Sequence, residues 1–400
     1  MSATGVPVRL VVVGAGPRAV MLLERLLARH PAGQALRVDL IDPHPPGAGR
    51  IWRHDQSPLL KLNSMARDVT VFTDDTCTID GPVRPGPALD EWAALVRDGR
   101  LPDVVVDDEG VAAEIAGLRG DGFPTRRLHS HYLDWFWRTT VAGAPAGVEI
   151  TWRQDRVTGV DTASPGHVVR LAGGDELPAD VVVYATGHTA SKPDAAVAAL
   201  REAATAAGLT YVPPDFTADA DLSALDPGTG VIVRGMGLAA IDLVVLLAEG
   251  LGGRFSRGDD GALRYEPSGL EPVLHLGSRR GVPYRSKVSS QLQGDAPVLE
   301  VVTPEAIAAL VARDAPVDFE RDVWPLIGRE LVWAHYRELC TGHADRVRVS
   351  WAQFREVLAV WDGTTASLRA YVAQVVPDPL DRFDVAQLDR PLAGERFADA

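Results

Sequence analysis

Apolar and polar positions follow two different periods near the start of the chain, and they predict a strand, a tight turn and a helix. An apolar run over residues 10–13 stops at Gly14, and from residue 17 onward the apolar positions recur with the spacing of a helix. A second strand pattern over residues 35–41 leads straight into Asp42. Alternation of buried strands with a helix is typical of a parallel α/β sheet.

The same pattern recurs in the second half of the chain. Residues 230–234 form an apolar strand pattern that ends at Gly235, and the helix pattern of residues 239–249 is apolar almost all round. An insertion rich in glycine and charge separates it from a further strand pattern at residues 272–276. We therefore predict an α/β fold built on two similar strand-turn-helix units.

A surface excursion and a buried helix lie between these two units. Residues 72–125 are rich in turn residues and contain one amphipathic helix pattern at residues 89–97. His129 and His131 belong to the following helix pattern, but positions two apart on a helix face different ways, which disfavours a joint catalytic role. The buried face of that helix is predicted from Leu128, Tyr132, Trp135 and Phe136.

Further strand patterns precede the second unit. Residues 148–160 predict a strand that forms a hairpin with residues 167–171. Residues 176–184 predict a buried strand, which ends in a turn of small residues at 185–187. Small residues allow the backbone to approach a ligand closely, so this turn is a candidate for a cofactor contact.

From residue 304 the pattern becomes helical. Apolar spacing predicts helices at residues 307–312, 324–339 and 351–361, and tryptophans are their bulky anchors. The chain thus divides into residues 1–190, 191–290 and 291–400, of which the last is a helical C-terminal region.

Composition and charge narrow the possible partners. The net charge of −14 argues against binding of nucleic acid or of an anionic membrane. No apolar run approaches the roughly 18 residues of a membrane-spanning helix, and residues 6–13 are a strand rather than a leader, so we expect a cytoplasmic protein. Cys77 and Cys340 lie far apart and the histidines lack ligand spacing, so we expect neither a disulfide framework nor a metal site.

The turn after the first strand has the glycine spacing of a dinucleotide-binding site. Gly14 allows a sharp turn, Gly16 leaves room for a diphosphate beside the backbone amides, and Ala19 lets the helix lie against the strand. The positive end of the helix then faces the diphosphate, and the Asp42 carboxylate falls where a ribose diol would lie. The alternative is a tight turn without a ligand. The candidate contacts are Gly14, Gly16, Pro17, Arg18, Ala19 and Asp42.

The second unit repeats this spacing but differs after its second strand. Where the first unit has Asp42, the second has Ser278 followed by two arginines. A carboxylate suits an unphosphorylated ribose, whereas guanidinium groups suit a 2′-phosphate, so this site predicts NADPH. The alternative is a pair of solvated turn arginines. The candidate contacts are Gly235, Gly237, Leu238, Ala240, Ser278, Arg279 and Arg280.

A loop rich in proline and glycine at residues 43–52 follows the first unit and leads into residues 59–66. Lys61, Asn63 and Ser64 are hydrogen-bonding side chains in this otherwise apolar segment. They are candidates for contact with a cofactor ring or a bound nicotinamide. The alternative is that they only support the packing of the loop.

Several stretches carry a family resemblance together, namely residues 14–19, 47–52, 63–64, 185–187, 235–242 and 277–284. They resemble the flavoproteins with two Rossmann-like dinucleotide-binding domains, and in particular the FAD/NAD(P)-binding family allied to the flavin-dependent N-monooxygenases. That group includes amino-acid N-oxygenases that act on aspartate. The resemblance implies an FAD-binding domain at 1–190, an NADPH-binding domain at 191–290 and a helical cap or substrate region at 291–400.

The resemblance also implies a reaction. NADPH would reduce FAD, the reduced flavin would take up O₂, and a C4a-(hydro)peroxide would transfer oxygen to the nitrogen of a small amine or amino acid. A small-molecule substrate and O₂ are the implied partners, and a homo-oligomer is compatible with it. The further cofactor contacts that we expect are Arg50, Trp52, Val157, Ala185, Thr186 and Gly187, and the catalytic candidates are Lys61, Asn63 and Ser64.

The sequence leaves the substrate open. An acidic amino acid would need a guanidinium near the flavin ring, and the candidates are Arg50, Arg67, Arg126 and Arg285. Flavoproteins of this architecture usually return to the FAD domain with a strand that ends in Gly-Asp, whereas here the Gly294-Asp295 pair follows a polar segment. The alternatives are a flavin oxidoreductase without oxygen transfer and a catalytically silent nucleotide-binding scaffold.

Overall fold

The chain divides into two compact units, Met1–Tyr284 and Arg285–Ala400. The computed structural model describes residues 6–162, 164–189, 192–284, 291–361 and 365–384, without the side chains of 365–367. Arg285, one of the four candidate arginines, therefore lies outside the described residues.

The first unit combines parallel and antiparallel sheets with helices, which confirms the predicted α/β class. Its strands and helices in chain order are β1 (Val8–Val13), α1 (Pro17–Arg29), β2 (Leu36–Ile41), α2 (Leu89–Arg97), α3 (Glu109–Gly117), α4 (Arg126–Ala142), β3 (Val148–Arg153), β4 (Val157–Thr162), β5 (His167–Leu171), β6 (Glu176–Ala179), β7 (Val181–Tyr184), α5 (Ala195–Ala206), β8 (Gly230–Arg234), α6 (Leu238–Leu247), β9 (Arg254–Arg257), β10 (Leu263–Glu266) and β11 (Val273–Gly277).

The main sheet is parallel and has the strand order β3-β2-β1-β7. Val13, the last residue of β1, lies opposite Ile41 of β2 and opposite Tyr184 of β7. The carboxyl ends of these three strands therefore lie side by side at one edge of the sheet. Ligands of open parallel sheets bind at this edge, so the register places the turns after β1, β2 and β7 at one site.

Two buried clusters support this edge. The apolar stripe of α1, which includes Ala19 and Leu23, packs against the buried side chains of β1 and β2. Helix α4 contacts α1 and buries Leu128, Tyr132 and Phe136 as its sequence pattern predicts. These side chains pack with Trp92 of α2 and with the loop before it.

The three-stranded antiparallel sheet β4-β5-β6 corrects two boundaries expected from the sequence. Residues 148–160 are two strands, because the chain leaves the main sheet after Arg153 and joins the hairpin at Val157. Residues 176–184 are also two strands, separated at Asp180. The Asp180 carboxylate accepts hydrogen bonds from the backbone N–H and the guanidinium of Arg9, which fix the change of sheet.

The second strand-turn-helix unit is present as predicted. Strands β8 and β11 form a parallel pair in which Gly230 lies opposite Val273, and α6 follows β8. The insertion between α6 and β11 folds into the antiparallel hairpin β9-β10. Among the described residues, this pair of parallel strands is a sheet of its own and shares no strand with the four-stranded sheet.

The described part of the second unit is helical, as predicted. Its core includes the buried side chains of Val332, Tyr336, Phe354 and Leu358, together with Cys340. Burial raises the pKa of the Cys340 thiol to about 11, which fits the expectation that this residue belongs to the core. The helices are α7 (Pro304–Val311), α8 (Trp324–Gly342), α9 (Trp351–Ala359) and α10 (Thr365–Val375).

Candidate nucleotide-binding site

The turn after β1 is built from backbone contacts that exclude a side chain at Gly14. The Gly14 N–H donates to the Ile41 carbonyl at 2.8 Å, and the Ala185 N–H donates to the Val13 carbonyl at 2.8 Å. Gly14 has a φ of +107°, and a Cβ on it would lie 2.4 Å from the Ala185 carbonyl oxygen. Both the backbone conformation and the approach of the 185–187 turn therefore require glycine here.

Helix α1 begins at this turn without a side-chain cap. Gly16 is the N-cap residue, Pro17 is the first helical residue, and no side chain accepts from the first amides. The first N–H groups of a helix lack intrahelical partners, so this helix start presents donors and a positive dipole end. The loop after β2 lies directly against it, since a Cβ on Gly49 would be 3.0 Å from the Gly16 Cα.

Asp42 lies at the end of β2 and holds the turn together. Its Oδ2 accepts a hydrogen bond from the Ala15 N–H at 2.8 Å, and its Oδ1 accepts one from the His44 N–H at 2.8 Å. Each carboxylate oxygen can accept a further hydrogen bond. The predicted contact of Asp42 with a ribose diol therefore stays a prediction, now beside a role in building the turn.

The turn after β7 lies against the glycine turn, whereas Val157 lies in a hydrophobic cluster. Thr186 and Gly187 are exposed, and Gly187 has a φ of +62°. Val157, which the sequence places among the cofactor contacts, packs against the cluster of Val11 and Ile41 between the two sheets. A cofactor contact of Val157 stays a prediction.

Arg50 and Trp52 of the glycine-rich loop have protein partners. Nε of Arg50 donates to Oδ2 of Asp219 at 2.7 Å, and its guanidinium lies over the Phe216 ring with 4.4 Å from Cζ to the ring centroid. The Trp52 ring meets the His129 ring edge-on, with 5.3 Å between centroids. If either residue contacts a cofactor, it does so from a position that the protein already fixes.

Lys61, Asn63 and Ser64 lie on a segment that runs antiparallel to residues 120–126. The Leu62 N–H donates to the Pro124 carbonyl at 2.8 Å, and the Leu62 side chain is buried. Lys61 and Asn63 alternate with it and are exposed, and Ser64 is half-buried. The segment thus presents polar side chains on one face, which is the arrangement that a ring edge or a substrate would require.

The second glycine turn repeats the backbone contact of the first. The Gly235 N–H donates to the Gly277 carbonyl at 2.7 Å, as the Gly14 N–H does to Ile41. Gly235 has a φ of +112°, but a Cβ on it would meet no atom of the described residues within 4 Å. By this equivalence Ser278 occupies the position of Asp42. Helix α6 begins after Gly237, again without a side-chain cap.

Two exposed arginines follow Ser278. The Ser278 Oγ accepts a hydrogen bond from the Gly281 N–H at 3.1 Å, which shapes the turn. The Arg280 guanidinium lies over the Tyr284 ring, 4.8 Å from Cζ to the centroid. Within the described residues, neither Arg279 nor Arg280 forms a salt bridge. The turn therefore carries positive charge that an anionic ligand can neutralise.

The first glycine turn, the start of α1 and Asp42 together form the first cradle. This cradle lies in a part of the chain that a family model matches. Residues 11–189 match the model of an FAD-NAD(P)-binding family. This part of the chain is therefore similar to an FAD-NAD(P)-binding family. The match begins within β1 and ends just after the 185–187 turn, so it contains the glycine turn, Asp42 and Lys61.

Relatives with assigned functions extend the likeness beyond the FAD-NAD(P)-binding domain. An L-aspartate N-monooxygenase (nitrosuccinate-forming) of Streptomyces davaonensis is 37% identical over 405 residues, which cover 96% of this chain and 61% of the relative. That of Streptomyces cremeus is 40% identical and covers 82% of this chain and 51% of the relative. A nitrosuccinic acid synthase of Aspergillus oryzae is 38% identical, with 83% and 50% covered. The chain spans about half to three fifths of the length of these relatives.

Solved structures resemble the chain only distantly. An ornithine N-hydroxylase of Kutzneria sp. 744 is 17% identical and covers 88% of this chain and 68% of its own, with a TM-score of 0.38.

Sequence reasoning missed the ion pairs that connect residues 11–189 with residues 219–242. Arg126 forms an ion pair with Asp242 of α6, and its guanidinium lies 5.8 Å from the centroid of the Trp52 ring. Arg53 donates to Asp219 at 2.5 Å, beside Arg50. The partners lie more than a hundred positions apart, and no local spacing indicates such pairs.

A polar cluster with two histidines lies at the start of α4. The Asp108 carboxylate accepts from the backbone N–H of Val111, forms an ion pair with Arg127 and lies 3.2 Å from Nε2 of His54. These contacts lower the pKa of the Asp108 carboxyl, the hydrogen bond from Val111 first. Burial lowers the pKa of His131 in the same cluster.

His129 is buried apart from that cluster. Its Nδ1 has no hydrogen-bond partner among the described residues, and burial lowers its pKa to about 4. A neutral, buried imidazole packed against Trp52 acts as a core side chain.

The described residues contain no group of three or more His, Cys, Asp or Glu side chains that could hold a metal ion. They also contain no helix with the length and apolar character that a bilayer span requires.

Proposed function

We propose that this chain is a flavin-dependent N-monooxygenase that uses NADPH and O₂ to hydroxylate the nitrogen of a small amino acid, with aspartate as the first candidate. FAD occupies the cradle in residues 1–190, NADPH the cradle in residues 191–290, and residues 291–400 form a helical cap or substrate region. The named function of the relatives at 37% to 40% identity supports this choice. A cytoplasmic location, where NADPH is regenerated, belongs to the same proposal.

The observation that carries the proposal is the repeated backbone contact of the two glycine turns. Gly14 and Gly235 each donate to the end of the neighbouring parallel strand, at 2.8 and 2.7 Å. The two turns differ at the next position, where one has Asp42 and the other Ser278 before its arginines. A ribose with a free diol fits the first site and a 2′-phosphate the second, as FAD and NADPH require.

The residues of the first cradle fit a diphosphate. Glycines at positions 14, 16 and 49 place no side chain over the start of α1, and no side chain caps its first amides. These N–H groups would hold the diphosphate of FAD, and Asp42 would accept from its ribose. When bound, FAD supplies the redox chemistry, in which it accepts two electrons from NADPH and uses O₂ to oxygenate the substrate nitrogen.

The Gly235 turn, the start of α6 and residues 278–280 together form the second cradle. The residues of the second cradle fit a phosphorylated ribose. Ser278, Arg279 and Arg280 would bind the 2′-phosphate by charge-assisted hydrogen bonds. The amides at the start of α6 would hold the diphosphate of NADPH. The arginines are exposed and form no salt bridge among the described residues, so binding breaks no existing ion pair.

We propose that Lys61 binds a carboxylate of the substrate. Arg50 and Arg126 already pair with Asp219 and Asp242, so a substrate would have to displace a protein carboxylate from either one. Arg67 lies 3.8 Å from the Asp68 carboxylate. Lys61 is exposed on the polar face of its segment, and none of the described carboxylates forms a salt bridge with it. Asn63 and Ser64 lie beside it and would hydrogen-bond the flavin edge or the substrate.

One experiment separates this function from its alternatives. The purified chain is examined for the absorption of bound flavin, and NADPH oxidation is then followed with L-aspartate, with succinate and without either. We expect a yellow protein whose NADPH oxidation depends on L-aspartate and yields an N-oxygenated product, whereas succinate has no nitrogen to oxygenate. NADPH oxidation at the same rate with and without L-aspartate would indicate a reductase without oxygen transfer. A protein that takes up no flavin would indicate a nucleotide-binding scaffold.

A further inference from the structure

Arg126, the first residue of α4, contacts three separate parts of the first unit. Its backbone N–H donates to the Leu60 carbonyl at 2.9 Å, which fixes it to the segment that carries Lys61. Its guanidinium lies over the Trp52 ring and forms an ion pair with Asp242. One side chain thus connects the loop of the first cradle with the helix of the second.

Asp242 lies on the helix whose start forms the second cradle. Helix α6 begins at Leu238, so Asp242 is about one turn into it. The Arg126 and Asp242 side chains are only 15% and 19% exposed, and Nε of Arg126 has no hydrogen-bond partner among the described residues. Salt screens such a pair less than a surface pair, and loss of one partner leaves a buried charge unpaired.

Side chains rather than a shared sheet hold the second cradle in place. Within the part of the chain that the structure describes, the pair β8-β11 has no strand in common with the four-stranded sheet, so no backbone ladder there connects the two cradles. Besides Arg126 and Asp242, the connection includes Asp219, which binds both Arg50 and Arg53. Arg53 also donates to the Ala218 carbonyl, and Arg50 lies over the Phe216 ring. Asp219 lies before β8, whereas Asp242 lies on the cradle helix itself. The Arg126–Asp242 pair is therefore an ion pair that acts on the cradle helix directly.

We propose that Arg126 and Asp242 are positioning residues that fix the NADPH cradle relative to the FAD cradle and so set the rate of hydride transfer. This inference rests on the proposed function. In that step NADPH gives up one hydride, which is two electrons with one proton, and becomes NADP⁺, while FAD becomes FADH⁻. Neither side chain is assigned a contact with a nucleotide. Their loss changes the distance between donor and acceptor, to which such a step is steeply sensitive.

The kinetic test separates positioning from binding. Stopped-flow reduction of the bound flavin by NADPH is measured for Asp242→Asn, Arg126→Gln, Arg126→Lys and the exchange R126D/D242R. We expect the limiting rate to fall about tenfold or more in the first two, with the Kd for NADPH and the flavin content changed less than about threefold. Arg126→Lys and the exchange recover much of the rate. Arg138→Gln, which breaks an exposed pair with Asp134 on the same helix, is the control and leaves the rate unchanged.

A second measurement does not depend on activity. Spin labels are attached at Met21→Cys on α1 and Leu263→Cys on β10, both exposed, in a Cys77→Ser background that keeps the buried Cys340. We expect a narrow distance distribution in the parent, a broad one in Asp242→Asn and a narrow one again in the exchange. Equal distributions, or an unchanged limiting rate, would overturn the inference. If NADPH does not reduce the flavin bound to the parent, the proposed function is wrong. The distances between the labels would still decide whether the pair fixes the cradle.

Discussion

The carboxylate of Asp42 accepts a hydrogen bond from the backbone N–H of Ala15, with 2.8 Å between Oδ2 and the nitrogen. This bond joins the end of β2 to the glycine turn after β1. The other oxygen accepts from the His44 N–H and holds the start of the next loop. Asp42 therefore shapes the site even before it meets a ribose.

Substitution of Asp42 should therefore lower both stability and flavin affinity. In Asp42→Ala two backbone donors lose their acceptor, and an unmade hydrogen bond of this kind costs about 1–3 kcal/mol. We expect a lower urea midpoint and a weaker Kd for FAD, measured by fluorescence titration. Asp42→Asn keeps one acceptor oxygen, so its urea midpoint and its Kd for FAD should lie between those of the parent and those of Asp42→Ala. Asp55→Asn, at an exposed position on the same loop, should match the parent. Unchanged stability in Asp42→Ala would contradict the structural role.

The two glycine turns predict unequal effects of the same substitution. Gly14→Ala and Gly235→Ala both force alanine to a positive φ, which costs roughly 1–2 kcal/mol. Only at Gly14 does the new Cβ also meet a backbone atom, the Ala185 carbonyl oxygen at 2.4 Å. Gly14→Ala should therefore lose several times more free energy of unfolding, and it should lose bound FAD. Equal losses in thermal or urea unfolding would show that the 185–187 turn does not press on Gly14.

The glycine turns could be predicted from the sequence because each is encoded locally. A strand pattern, two glycines and a helix pattern lie within consecutive residues, and short-range sterics decide the backbone there. The boundaries at Arg153 and Asp180 could not be predicted in this way. The apolar pattern continues across Asp180, and the change of sheet depends on Arg9, which lies 171 positions away. A distant partner leaves no periodic signal.

The same reason limits the prediction of the candidate site. Lys61, Asn63 and Ser64 could be found because polar residues interrupt an apolar segment. The pairing of Arg126 with Asp242 could not, since each residue by itself reads as an ordinary helix position. Many arginines in the chain also make any single one a weak signal.

Removal of the arginines of the second cradle should change nucleotide preference. A charge-assisted hydrogen bond contributes about 1.5–3 kcal/mol, so the double substitution R279A/R280A should weaken NADPH binding by roughly tenfold to a hundredfold or more. NADH lacks the 2′-phosphate, and its Kd should change little. Arg254→Ala, at an exposed position on β9, is the matched control. Equal weakening for both nucleotides would show that the arginines do not bind the phosphate.

Buried His129 should make the folded state sensitive to mild acid. Its pKa is about 4 in the folded chain against an ordinary value of 6.5. The unfolded chain therefore binds a proton below pH 6.5 that the folded chain does not, and stability falls as the pH drops from about 6.5 toward 4, by up to about 1.4 kcal/mol per pH unit. Above pH 6.5 this contribution is fully present.

Urea unfolding at pH 7.5 and pH 5.0 tests this dependence. His129→Gln should have a smaller loss of stability between the two pH values than the parent. His188→Gln, at an exposed position, should keep the loss of the parent. A parent and a His129→Gln variant with identical pH slopes would show that His129 takes up its proton in the folded state.

Lys61 should bind the substrate carboxylate and leave the reduction of the flavin untouched. Lys61→Met removes a cation that has no carboxylate partner among the described residues, so the packing around it should survive. A charge-assisted contact of about 1.5–3 kcal/mol corresponds to a roughly tenfold to hundredfold rise in KM for L-aspartate. The limiting rate of flavin reduction by NADPH should stay that of the parent, because that step does not involve the substrate carboxylate. Lys192→Met, at an exposed lysine, is the matched control. If KM rises equally in both variants or in neither, the substrate carboxylate is bound by another group, and Lys61 serves only the packing of its segment.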